Sequence, residues 1–269
     1  MDNWQEGDVE SDGLKVHFYR TGNGSKPALV LAHGFTDNGL CWLRTAQKLE
    51  SQFDIVMVDA RNHGQSDSGT ATLADLAGDL ANLIRKLGLA RPADMGHSVG
   101  ASVVAALAAG YPDLVSRIVL EDPPWTLGEK ILSDEKTKRR AEGFRQHIKS
   151  LAEVSEAQII KEGRAQHPTW HPDEFPVWAL SNHQVRGEAM ERLDLGNWRE
   201  PVPLIQCPTL LVYAAGSKDG IVSHELAREL GLMNPRIQAC HIDGAGHNLR
   251  REQFDKFINA VTPFLSEDL

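Results

Sequence analysis

The chain has 269 residues, 41% hydrophobic and 24% charged, with a formal net charge of −9. That length suits one large domain with a sizeable core and leaves room for an inserted subdomain, and the composition is that of an ordinary soluble fold. The acidity argues against nucleic acid or an anionic membrane as the main partner, and leaves room for a small anionic substrate in a locally basic pocket.

The opening stretch, MDNWQEGDVESDG, is acidic and polar, without the basic start and apolar run of a signal peptide. No apolar run approaches membrane-spanning length. The expectation is a cytoplasmic protein with no membrane partner; oligomeric state is left open. The three cysteines, Cys41, Cys207 and Cys240, are far apart and form no CxxC pair, which suggests neither a zinc site nor a disulfide framework.

DVESDGLKVHFYRTG holds two extended runs around Asp12-Gly13, a hairpin signal. ALVLAHG (28–34) is a short continuous apolar run, the pattern of a strand buried on both faces. CWLRTAQKLES has helical spacing, and FDIVMVDAR (53–61) is a second buried strand. TLADLAGDLANLIRKLG (72–88) predicts a helix with a Thr72–Asp75 capping box and Gly88 after its last turn. RIVLED (117–122), TLLVYAAG (209–216) and RIQACHID (236–243) are further strands, with SHELARELGL and REQFDKFINAVTPFL as helices. This alternation predicts a mostly parallel sheet covered by helices on both faces. Residues 123–200 break the rhythm: DPPWTLGEK opens the break, REPVPLIQCP closes it, and amphipathic helical stretches without a convincing strand lie between. The division expected is a core of residues 1–122 and 201–269 with a helical cap at 123–200.

ADMGHSVGASVVAALAAGYP (93–112) carries G-x-S-x-G between a short strand and an alanine-rich helix. Gly96 and Gly100 permit close chain approach, and a residue at the tip of so sharp a turn is exposed for attack. In isolation the same residues could be a glycine-framed helix start with Ser98 as its cap.

Five segments in order resolve that choice: LAHGFTDN, DARNHGQSD, GHSVG, GSKDGIV and GAGHNLRRE. Together they resemble the α/β-hydrolase fold family over nearly the whole chain, with GHSVG as the nucleophile elbow. The resemblance implies Ser98 as nucleophile, His247 as general base and Asp219 as the acid, in the family's Ser…acid…His order. A serine hydroxyl needs a base within hydrogen-bond reach, and histidine is the side chain whose ordinary pKa lies near neutrality. The acid would fix the imidazole tautomer and stabilise the imidazolium. The backbone N–H groups of Phe35 and Val99 would hold the oxyanion. Asp122, after RIVLE, is the rival for the acid, because some relatives take it from that strand end.

His33 and His63 read as loop braces and His97 as structural, and no metal or cofactor is called for. His167 and His171, in HPTWHP, read as part of a solvated loop, the prolines opposing a ligand-bearing helix. Two departures from the family pattern stand out. The strand before the elbow holds Asp94, which needs a partner if buried, and Ala101 stands where many relatives have a second glycine. The expectation is a serine hydrolase that cleaves a small, largely apolar carboxylic ester through an acyl-enzyme. A lactone, thioester, amide or C–C substrate would use the same groups, and a hydrolase-like receptor with little turnover is the non-enzymatic alternative. Trp125, just after DPP, and Trp178, in FPVWALSNHQ, are the substrate-contact candidates, against the alternative that both pack cap onto core.

Overall fold

The computed structural model describes residues 4–125, 135–151, 153–186, 189, 193–216 and 219–267. The first three residues of the opening stretch, residues 126–130 of DPPWTLGEK and residues 217 and 218 of GSKDGIV lie outside the described residues.

The chain begins with a hairpin, β1 (Gln5–Ser11) and β2 (Leu14–Arg20), paired from Gln5↔Arg20 to Ser11↔Leu14. Its turn residues, Asp12 and Gly13, both have positive φ, 49° and 80°. That backbone matches the twist of the flanking strands, which is why Asp-Gly closes hairpins. Then come β3 (Ala28–Ala32), α1 (Leu43–Leu49), β4 (Asp54–Val58) and the two-residue β5 (Ala71–Thr72). Helix α2 (Leu73–Lys86) starts on the expected capping box, with Thr72 and Asp75 each accepting the other's backbone N–H. β6 (Ala93–His97), α3 (Val99–Gly110) and β7 (Arg117–Glu121) complete the first half.

Between β7 and the next long strand lie α4 (Glu135–Leu151), α5 (Glu156–Gln166) and α6 (Glu174–Gln184). One strand does occur in this stretch, contrary to the sequence expectation. β8 (Leu193–Asp194) pairs with β5, in a contact too short for an apolar pattern to announce. β9 (Thr209–Tyr213), α7 (His224–Met233), β10 (Ile237–His241), α8 (Leu249–Glu252) and α9 (Phe254–Ser266) finish the chain.

The main sheet has the order β1-β2-β4-β3-β6-β7-β9-β10. It is parallel from β4 to β10, and the leading hairpin is antiparallel. All five residues of β4, β6, β7 and β9 are buried, as strands covered on both faces must be. Leucines and valines of α2, α3 and α7 fill one face. Trp42, Leu49 and the apolar side of α9 fill the other. A third, smaller cluster, Ile148, Leu151, Ile159 and Ala179, joins α4, α5 and α6, and Phe35 and Trp178 pack against it. This cluster therefore sits over the loop that follows β3, at the C-terminal edge of the strands, where open α/β sheets bind their ligands.

Candidate active site

Ser98 stands between β6 and α3 with φ 53° and ψ −119°, a conformation that costs a non-glycine residue free energy and survives because its surroundings impose it. Those surroundings are very close. A Cβ on Gly96 would lie 2.2 Å from the Gly100 carbonyl oxygen, and one on Gly100 would lie 2.2 Å from that of Ala32. The frame glycines are thus required by backbone approach, and the side chain between them is directed out of the sheet. As the residue before α3, Ser98 makes no side-chain cap to the helix. Its hydroxyl instead meets His247 Nε2 at 3.0 Å.

The other ring nitrogen of His247 corrects the expected acid pairing. Nδ1 lies 2.6 Å from Asp122 Oδ2. A carboxylate can only accept, so the proton sits on Nδ1 and Nε2 is left to accept from Ser98. Asp122 follows β7 with φ 43° and is fully buried. The backbone N–H groups of Ile221 and Val222 donate to its carboxylate at 2.9 Å each. Asp219 is exposed, and its Oδ1 accepts the backbone N–H of His247 at 3.1 Å. It braces the histidine loop and does not meet the ring. The reason is positional: β7 lies between β6 and β9, so Asp122 at its end stands beside the strand that carries Ser98, while Asp219 is exposed.

Phe35 and Val99 come together beside Ser98. Neither backbone N–H has a hydrogen-bond partner among the described residues. Val99 opens α3, where the first N–H groups have no intrahelical acceptor. His33 and His63 brace the loop that carries Phe35. His33 donates from Nδ1 to the Gly34 carbonyl, and its Nε2 accepts the Ala60 N–H at 3.0 Å. His63 Nε2 lies 2.6 Å from the Phe35 carbonyl oxygen. Burial, with His63 alongside, pushes the His33 pKa down to about 3, and burial lowers that of His63 as well. The His97 ring lies 4.7 Å from that of His247, tilted by 43°, and donates from Nε2 to the His247 carbonyl at 3.0 Å. Burial, then the nearby Arg250, holds it well below its ordinary range, so this ring is neutral.

Sequence reasoning missed a buried ionic network behind these groups. Arg250 pairs with Glu121 at 3.3 Å and Asp37 at 2.7 Å, and Arg251 pairs with Asp37 at 3.1 Å and Glu174 at 3.2 Å. Burial acts to raise the Asp37 pKa, but Arg251 and Arg250 outweigh it and hold the carboxyl below its usual range. The network joins β7, the loop after β3, α8 and α6, the elements that set the positions of Asp122, Phe35 and His247. The signal available in sequence was the Arg-Arg pair of GAGHNLRRE.

The two candidate tryptophans make packing contacts. Trp125 is buried and stacks on Trp198, with centroids 5.5 Å apart and planes 12° from parallel. Trp178 sets its ring edge against Trp170 at 5.7 Å and lies against Gly163. Neither lines the cavity beside the site, which has a volume of about 40 Å³ and touches both Phe35 and Val99. Phe144 of α4, 42% exposed, faces Phe35 at 6.3 Å and brings that helix to the rim.

A doubly covered parallel sheet with a strained serine at a strand–helix turn defines a fold class, and the chain belongs to it. The model of the α/β hydrolase fold family matches residues 27–250. Along almost its full length the chain is 28% identical, over 278 aligned positions, to N-formylmaleamate deformylase of Pseudomonas putida, covering 98% of this chain and 97% of that protein. It is also 28% identical, over 257 positions, to 2-(acetamidomethylene)succinate hydrolase of Mesorhizobium japonicum, covering 90% and 89%. The solved structure of an E-2-(acetamidomethylene)succinate hydrolase superposes with a TM-score of 0.81 at 23% identity, covering 97% of this chain and 99% of that one. No helix among the described residues is long and apolar enough to cross a membrane.

Proposed function

We propose that the protein is a serine hydrolase that removes a small acyl group from nitrogen, through an acyl-enzyme on Ser98. The observation that carries this reading is the continuous hydrogen-bonded chain from Ser98 Oγ to His247 Nε2 at 3.0 Å and from His247 Nδ1 to Asp122 at 2.6 Å. As Ser98 attacks the carbonyl carbon, His247 takes the hydroxyl proton, and the buried Asp122 stabilises the imidazolium that forms. The carbonyl oxygen becomes an oxyanion between the N–H groups of Phe35 and Val99, donors with no partner among the described residues to give up. His247 then passes its proton to the departing nitrogen. Water, deprotonated by the same ring, releases the acid and restores Ser98.

Ester cleavage, expected from sequence, differs only in the leaving atom. Nitrogen is preferred because two relatives that match over most of their length are named for a deformylation and for the hydrolysis of an acetamido compound. Both names also contain a carboxylate, maleamate and succinate. An anionic substrate agrees with the charge of α4: six Lys or Arg against two Glu, a net +4, on a chain of net −9. Trp125 and Trp178 are assigned to scaffolding and Asp219 to bracing of the histidine loop. The core and cap division at residues 123 and 200 is kept as part of this reading.

The test is a hydrolysis screen across N-formyl and N-acetyl enamides with and without a carboxylate, simple amides, lactones and p-nitrophenyl esters, with Ser98→Ala as control. The expected result is highest kcat/KM on a carboxylate-bearing N-acyl compound and a rate lower by several orders of magnitude in the control. An ester preference of several orders of magnitude would return the assignment to carboxylesterase. A single covalent event without turnover on any compound would point to a receptor.

A further inference from the structure

Resting on the acyl-enzyme reading above, we infer that His97 is a positioning residue for that reaction: its ring ties the loop that carries His247 to the strand end that carries Ser98, and so holds the base at the nucleophile. His97 closes β6 and directly precedes Ser98. Side chains alternate along a strand, and Ala93 and Met95 pack with Trp42 and Leu249 on one face of the sheet. His97 continues that row to the strand end. There its Nε2 donates to the His247 carbonyl at 3.0 Å, with the two ring centroids 4.7 Å apart. The ring also lies against the loop after β3. A Cβ on Gly34, the residue before Phe35, would lie 2.7 Å from His97 Nδ1. One side chain therefore borders both the loop of the base and the loop of an oxyanion donor, while its backbone runs into the nucleophile.

The bonding of the ring favours this role over plain packing. A carbonyl only accepts, so the proton is on Nε2 and Nδ1 carries a bare lone pair. His97 is 4% exposed, and Nδ1 has no partner among the described residues. A buried polar atom left unpaired costs stability, and an apolar ring of the same shape would fill the space without that cost. What imidazole adds here is the Nε2–H. Asp219 accepts the His247 N–H at 3.1 Å and Glu252 the Gly246 N–H at 2.8 Å. Those carboxylates hold the loop by its N–H groups, whereas His97 fixes the His247 carbonyl to the residue next to Ser98. Burial and Arg250 keep the His97 ring neutral, so His247 gains its proton during the attack without a second cation against it. A displacement of about 1 Å in a reacting group can cost about 10²-fold in rate, which is the scale a loop anchor controls.

The test uses the full chain, p-nitrophenyl acetate and three variants. His97→Gln keeps an N–H as many bonds from the backbone as Nε2. His97→Phe keeps a ring and His97→Leu keeps apolar bulk, both without the donor. Thermal melts verify folding, and kinetics are read below each melting transition. The Phe and Leu variants should lose at least about 30-fold in kcat with KM changed by less than about threefold, and the Gln variant should stay within about fivefold of wild type. Labelling of Ser98 by a fluorophosphonate should slow in the same order, since it too needs the hydroxyl activated by His247. Packing predicts the opposite ranking, with Phe at least equal to Gln. A Gln variant no faster than the Phe variant, or a loss confined to KM, would overturn the assignment and leave the serine mechanism standing. Failure of both donor-free variants to fold would overturn it as well, because the bond would then serve stability alone. If Ser98 is not labelled in the wild type, the acyl-enzyme reading falls and the positioning role with it.

Discussion

Asp122 is the residue on which the proton chemistry turns, because among the described residues it meets the His247 ring nitrogen opposite Ser98. Asp122→Asn would put an amide where Nδ1 needs an acceptor and favour the wrong tautomer, so kcat should fall by about 10⁴-fold. Asp219→Asn keeps an acceptor for the His247 N–H, and kcat should change by less than about tenfold. Steady-state kinetics on the two variants checks this, and the reverse ranking would restore Asp219 as the acid. A second residue, Asp94, makes a prediction about stability. It lies in β6 with both carboxylate oxygens buried and without a partner among the described residues, and burial raises its pKa well above the usual carboxyl range. Above the ordinary carboxyl pKa the unfolded chain releases this proton while the folded chain keeps it. Stability therefore falls as pH rises through that interval, by up to about 1.4 kcal/mol per pH unit. Asp94→Val should be more stable than wild type, with a gap that widens from about pH 4 upward until the folded group itself ionises. Urea melts at several pH values measure this, and a gap that narrows with pH would contradict it.

The elements differ in how much of their placement local sequence could reveal. The hairpin at Asp12-Gly13, the apolar runs of β3 and β4 and the Thr72–Asp75 cap are short-range patterns, so they were legible. Asp122 depends on β7 lying between β6 and β9, a fact of sheet order spread over the chain, while Asp219 sits only 28 residues before His247 and matches a local pattern. The pairing of β8 with β5 and the Glu121–Arg250–Asp37 contacts are likewise long-range. Helix α8 makes a prediction from this network. Arg250→Met would leave Glu121 and Asp37 buried with lost partners, costing about 3–5 kcal/mol. Adding Glu121→Gln should recover part of that loss in denaturant melts, and strict additivity of the two changes would argue against the coupling. Helix α4 makes another. Arg139→Glu with Lys149→Glu lowers its charge by four and should cut kcat/KM on a carboxylate-bearing substrate several-fold at low salt. The loss should disappear near 0.5 M NaCl, where screening is short-ranged. An equal effect on an uncharged N-acyl compound would show that charge is not the cause.

At the scale of the whole molecule, the parallel sheet holds the parts of the site at the ends of separate strands. Ser98 follows β6, Phe35 lies beyond β3, Asp122 follows β7 and His247 lies beyond β10. The α/β class and the identities of Ser98 and His247 could be read from motifs. Trp125 could not, because its proximity to the site in sequence gave no sign that it would stack on Trp198, 73 residues later. What unites these parts is one claim, that Ser98 carries the acyl group during turnover. The most direct measurement is acid-quenched peptide mass spectrometry during hydrolysis of p-nitrophenyl acetate. It should find an acetyl adduct on the Ser98 peptide that appears within the first turnover and disappears as substrate is consumed. The adduct should be absent in Ser98→Ala, with the rate down by several orders of magnitude. Undiminished turnover in Ser98→Ala, or an acetyl group that accumulates on another residue at the rate of product release, would contradict the account.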